Sequence, residues 1–242
     1  MFPASLRLAV LMSSRRSSRP ASPLLPARRP SSPPAHDPRP ATAFRARITR
    51  GAVRRDEFSA PERWHDPRDD GRLKFVVEPP GEGYLHVLTP DDVRQRLALL
   101  PRQLANKVEV VQFSTMTRKR ACFPCYGMQW GRTIYLYPIE STLVEEYHRA
   151  PTPIQEQEAC MFGGVWSCAG GLWKLSWTLP TIRDFYLNNV LIHEVGHVND
   201  ERNTSSRDRE RYANWFAIEY GYRASRGLTL ADGPPQRPRQ PR

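Results

Sequence analysis

The chain has 242 residues, four cysteines and no run approaching 18 consecutive apolar residues. That size suits one sizeable domain with tails, and the pattern excludes a disulfide-dense scaffold and a membrane-spanning helix. The formal charge is +11, and residues 1–55, with 12 Arg, no Lys and the single acid Asp37, hold the whole excess, while residues 56–242 balance at 24 basic against 24 acidic.

The basic character therefore belongs to a tail and not to a folded nucleic-acid-binding surface. Nine prolines stand in that tail among Ser, Arg and Ala. Such a composition buries too little apolar surface to offset the entropy of ordering, so disorder is expected over residues 1–70. The apolar run from Leu8 to Met12 is short for a secretory signal. The Arg- and Ser-rich, acid-poor start suits an organellar transit segment, and a cytoplasmic location is the baseline expectation. Gly233 to Arg242, GPPQRPRQPR, makes residues 229–242 a second basic tail. Weak, salt-dependent attraction to polyanions is expected of the N-terminal tail, although Phe44 is the one aromatic residue interleaved with its arginines.

The folded domain is expected over residues 72–228. Thr89-Pro90-Asp91-Asp92 opens a helix: Thr89 can cap it, Pro90 suits the first turn, and the two acids favour the positive helix end. Val108–Phe113 and Thr133–Tyr137 alternate as strands do, and so does Leu172–Thr178. Ser141–Arg149 reads as a short helix. A long helix is expected from about Thr181 to Asn199, then a loop at Arg202–Ser205 and a last helix from Ser206 to Tyr220, with Gly221 as its stop. The pattern is α+β, a small mixed or antiparallel sheet with two helices closing the domain.

The long helix contains His193-Glu194-Val195-Gly196-His197. Two imidazoles four residues apart project from one helical face and can reach one metal ion. Glu194, beside the first of them, can act as general base and acid on a water. Zinc suits two imidazoles plus a carboxylate and leaves a fourth position open. With 6 His and 14 Glu in the chain, such a pattern arises by accident roughly 0.01 times per chain, and here it falls inside an apolar helix where unpartnered polar groups are unfavourable. Gly196 weakens a helix interior, which is explained if another element packs closely at that turn. For the third ligand, Glu210, Asp200 and Asp208 are the nearest acids downstream. On the final helix Glu210, Ala213, Asn214 and Ala217 share one face, and the small residues would let it lie close to the metal helix.

The residues E-R-Y-A-N-W-F-A, Glu210 to Ala217, following HExxH resemble the gluzincin zinc metallopeptidases, in particular the small ImmA/IrrE-like type. The resemblance covers residues 187–220. It implies a minimal zincin-like fold, one catalytic zinc ion, Glu210 as third ligand and Asn214 as a hydrogen-bond acceptor for a ligating histidine. Many gluzincins have Asp at the position of Asn214, and the neutral amide leaves the imidazole less basic. The implied activity is hydrolysis of a peptide or protein substrate, with Glu194 as the proton carrier. The alternative is a zincin-fold regulatory or partner-binding protein that holds metal and cleaves little.

Tyr212, Tyr220, Tyr222 and His148 are candidates for stabilising a tetrahedral oxyanion. In zincins an extended edge strand pairs with substrate backbone, and Trp173–Trp177 or Thr133–Tyr137 could serve. Cys122 and Cys125 have ligand spacing, and with Cys160 and Cys168 could hold a second, structural zinc; ordinary reduced cysteines are the simpler expectation.

Overall fold

A computed structural model describes residues 63, 65–68, 70–122 and 125–228. The expected disordered tails, 1–70 and 229–242, fall outside these apart from a few residues before Gly71.

Residues 70–228 form an α+β body. Strand β1 (Lys74–Val77) and the short β2 (Tyr84–Leu85) precede helix α1 (Pro90–Ala98). Thr89 caps α1 as expected: its side chain accepts from the Asp92 amide, and Asp92 accepts in return from the Thr89 amide at 2.7 Å. Such reciprocal caps contribute about 1 kcal/mol. A short helix α2 (Arg102–Ala105) leads into β3 (Val110–Phe113), and α3 (Arg118–Cys122) into β4 (Gly127–Trp130) and β5 (Thr133–Leu136). The four strands make one sheet in the order β1-β3-β5-β4. β1, β3 and β5 run parallel, and β4 closes the edge antiparallel to β5, with Gly127 opposite Leu136 and Trp130 opposite Thr133. Every residue of β3 is buried, as a central parallel strand requires.

β6 (Ile139–Glu140) pairs with β2. A second sheet follows, β7 (Val144–Tyr147), β8 (Val165–Ala169) and β9 (Leu172–Ser176), in the order β7-β9-β8, with helix α4 (Pro153–Met161) between its first two strands. β7 replaces the expected helix at Ser141–Arg149. Its carboxylates look solvent-facing in sequence, yet Glu145 points inward and Glu146 outward, the two-residue period of a strand. Glu145 accepts hydrogen bonds from Tyr126 at 2.8 Å, Tyr147 at 2.9 Å and Trp177 at 3.1 Å. These donors allow the carboxyl to be buried, and burial raises its pKa to about 7.

The long helix begins earlier than expected, at Leu179, because Thr178 caps it. α5 (Leu179–Phe185) passes through a π-turn, Tyr186–Val190, into α6 (Leu191–Asn199). α7 (Ser206–Phe216) follows, with Ser205 as cap, and continues through a second π-turn, Ala217–Arg223. Gly221 therefore does not stop the helix. It lies inside the π-turn, where a Cβ would overlap the Asn188 carbonyl oxygen of the other π-turn. Arg96 ties the two together from α1, donating to Asn188 Oδ1 at 2.6 Å and to the Tyr220 carbonyl. The apolar core fills the space between the main sheet and these helices, with Val111, Phe113, Ile134 and Leu136 from the strands meeting Ile182, Val190, Leu191 and Val195.

Candidate metal centre

α6 lies across β4 and β5, and α7 lies along α6. The close approach of the two helices has a local cause. A Cβ at Gly196 would stand 2.9 Å from Ala213 Cα and 3.0 Å from Phe216 Cβ, inside normal contact distance. Gly196 and the small residue at 213 thus let the helix axes draw together, as the sequence suggested.

This packing brings Glu210 to the two histidines. His193 Nε2 and His197 Nε2 lie 3.1 Å apart, and Glu210 oxygens are 3.6 Å from the first and 3.4 Å from the second. A tetrahedral ion with bonds of about 2.0–2.2 Å has ligand atoms roughly 3.3–3.6 Å apart; one ligand atom from each of the three residues lies within 4.8 Å of the others, close enough for the three to hold one cation. Among the described residues this is the group of three or more His, Cys, Asp or Glu side chains that can hold a metal ion. His193 is 2% exposed, whereas the Glu210 side chain is 37% exposed, so one side of the group opens to solvent.

The electrostatics suit a cation. Burial lowers the pKa of His193 to about 4, leaving that imidazole neutral with a lone pair to give. A hydrogen bond to Asn214, itself buried, works weakly against that shift. At His197 burial also favours the neutral form, but the Glu210 hydrogen bond and the Glu194 and Glu210 charges outweigh it and raise the pKa. Glu210 is desolvated too, yet the two imidazoles hold it well below the ordinary carboxylate range. The set therefore keeps a carboxylate charged beside an imidazole that holds its proton, and a divalent cation would displace that proton.

Glu194 sits next to the group, 3% exposed. Burial raises its pKa to about 7, with Glu210 adding to the rise and His197 opposing it. Its side chain lies over the start of β4: a Cβ at Gly127 would be 3.0 Å from Glu194 Oε1 and 2.7 Å from Val190 Cγ1. β4 is the edge strand beside the site. Thr133–Leu136 and Leu172–Ser176, expected as edges, are instead flanked on both sides, by β3 and β4 and by β7 and β8. The sequence GMQW over β4 shows no alternation of apolar and polar residues, which is why the strand was not anticipated.

The remaining candidates make other contacts. Asp200 follows α6, and its carboxylate accepts from the Arg202 and Asn203 amides and the Asn203 side chain. Asp208 pairs with Arg211 at 2.7 Å. Tyr212 lies under the Arg202 guanidinium and against Trp215 and Phe216, and Tyr220 packs on the same two rings. Tyr222 stacks with Phe162 and Arg226. His148 is an exposed residue just after β7. Cys160 and Cys168 are exposed on α4 and β8, and the described cysteines form no metal-ligating group; the Cys122 side chain lies outside the described residues. Two residues that no motif marks, Arg209 and Gln129, meet next to the ligand-bearing turn of α7. Arg209 donates to Gln129 Oε1 on β4 at 3.1 Å, a contact across 80 positions that no local pattern announces.

No family model, no curated protein and no solved structure matches the chain. Among the described residues, no helix is long and apolar enough to cross a membrane.

Proposed function

We propose that the chain is a zinc-dependent metallopeptidase, with zinc held by His193, His197 and Glu210. The observation that carries this reading is the place of Glu194, a buried carboxyl with a pKa of about 7 directly beside three converging ligand atoms. A site built only to hold zinc closes with a fourth protein ligand, and among the described residues the group stops at three, with one side open. Zinc bound there supplies Lewis acidity, which polarises a carbonyl and acidifies a water.

The protein's own groups supply the rest. Glu194 takes the proton from the attacking water on one carboxylate oxygen and delivers it to the leaving amine nitrogen, a task suited to a group that titrates near neutrality. Asn214 orients His193. The outer edge of β4, beside which no described strand pairs, offers backbone N–H and C=O groups to an extended peptide, which would lie past Glu194.

Elemental analysis of the purified chain with added zinc should find one zinc per chain, and a peptide-library digest should give metal-dependent cleavage. Glu194→Gln should keep the zinc and lose cleavage by roughly 100-fold or more. Glu210→Ala should weaken zinc binding far more than Asp200→Ala does. Stoichiometric zinc without any cleavage would favour the second reading, a metal-holding regulatory protein, for which the neutral Asn214 beside His193 speaks.

A further inference from the structure

We infer that Arg209 is a specificity-determining residue whose guanidinium, presented by Gln129 at the edge of the site, recognises a carboxylate of a bound peptide. The inference deepens the peptidase reading and rests on its placement of peptide along β4. Arg209 directly precedes Glu210 on α7, so its side chain leaves the helix about 100° around from the ligand, in a direction from which it reaches Gln129 on β4. There Nη2 donates to Gln129 Oε1 at 3.1 Å, and the amide nitrogen of Gln129 donates to the Gly131 carbonyl. That second bond fixes which end of the amide faces the arginine.

Among the described residues no carboxylate claims this charge. None of them forms an ion pair with Arg209, which is half-buried. The acids on either side of it in sequence are engaged elsewhere, Asp208 with Arg211 and Glu210 with the imidazoles. A guanidinium carries five donors in a planar fork that matches a carboxylate, and a neutral amide satisfies one of them. Register gives the position read. Gln129 is two residues along β4 from Gly127, on the same face. A peptide paired beside β4 with its reacting bond at Glu194 therefore brings a residue about two positions away past Gln129 and Arg209. The carboxylate is an Asp or Glu side chain there, or the chain terminus of a peptide ending there.

The test uses the full chain carrying Glu194→Gln, with zinc present, as bait for two random peptide libraries of fixed length, one with amidated and one with free C-termini. Enrichment of Asp and Glu at one position in the amidated library identifies a side-chain carboxylate, and enrichment confined to the free-terminus library identifies the terminal one. Either supports the inference, provided that adding Arg209→Gln weakens binding of the selected peptide roughly 10- to 100-fold, the usual effect of losing a charged hydrogen bond. Arg209→Lys should restore little, because an ammonium lacks the fork. Gln129→Ala, which leaves the charge in place, should weaken binding less than Arg209→Gln. Circular dichroism and zinc content check that each variant is folded. No acidic preference in either library, no peptide binding at all, or a preference indifferent to Arg209→Gln overturns the inference. Acid-selective binding without cleavage by the native chain would sink the peptidase reading and leave Arg209 its role. Cleavage without acid selectivity would do the reverse.

Discussion

Burial acts on three glutamates in the same direction and with different consequences. Glu194 and Glu145 are raised to about 7 and Glu158 to about 8, in each case chiefly by desolvation. Glu145 has three donors around it. Glu158, on α4, has the weaker support of Asn189 on the π-turn. Because the pKa of Glu158 in the folded chain lies above its ordinary value of 4.5, the folded state binds its proton more tightly than the unfolded state does. The associated stability is fully present below about pH 4.5 and is lost as pH rises through about 8. Glu158→Gln keeps the shape and removes the ionisation. Its melting temperature should exceed that of the native chain by more at pH 8 than at pH 5, with a gain on the order of a few kcal/mol at the alkaline end. Equal melting-temperature differences at the two pH values would mean that Glu158 ionises as freely folded as unfolded. At this scale helical spacing marked His193, Glu194 and His197, and the resemblance of the last helix pointed to Glu210. The sequence hid Glu145, Arg209 and Gln129, because their partners come from distant strands and helices and nothing in a linear pattern pairs Gln129 with Arg209.

Elements were legible where local chemistry specifies them. The Thr-Pro start of α1 and the alternation of β5 and β9 were read correctly, as was the apolar period of the metal helix. The two π-turns were not, since a single widened turn leaves the apolar pattern nearly that of an α-helix. Their presence changes the reading of Gly221 from a stop signal to a contact point. Two glycines now set the helix geometry on which the site depends. Gly196→Ala places a methyl 2.9 Å from Ala213 Cα, an atom that moves only with α7. Glu210 rides on that helix, so the substitution should weaken zinc binding as well as lower the melting temperature. Gly221→Ala meets the Asn188 carbonyl, one turn before the metal helix begins, and should destabilise by roughly 2 kcal/mol or more. Isothermal titration with zinc alongside thermal melts separates the two. If Gly196→Ala melts lower but binds zinc as the native chain does, α7 has shifted without carrying Glu210 away, and the site tolerates a wider helix spacing than the native contacts imply.

Across the whole molecule, charge and candidate chemistry occupy different parts of the chain. Residues 1–55 hold the entire net charge of +11, while residues 56–242 carry equal numbers of basic and acidic side chains. Among the described residues, Arg63 is the first to touch the body: its carbonyl accepts from Tyr135 and its guanidinium pairs with Glu78 at 3.1 Å. A chain lacking residues 1–55 keeps those contacts, the sheet and all four residues of the candidate site. It should therefore melt as the full chain does, bind zinc with the same stoichiometry and retain whatever hydrolysis the full chain has. The difference should appear against polyanions. Several arginines close together displace condensed counterions when they meet nucleic acid or an anionic vesicle, so binding by the full chain should fall steeply between roughly 50 and 200 mM salt. The shortened chain, with a formal charge near zero, should bind at neither concentration. Fluorescence anisotropy with a labelled DNA duplex and sedimentation with anionic vesicles measure both arms. Equal binding by the shortened chain would move the interaction onto the body, where Arg209 and its neighbours would be the first residues to test. Loss of zinc or of folding on shortening would mean that residues before Arg63 complete the core.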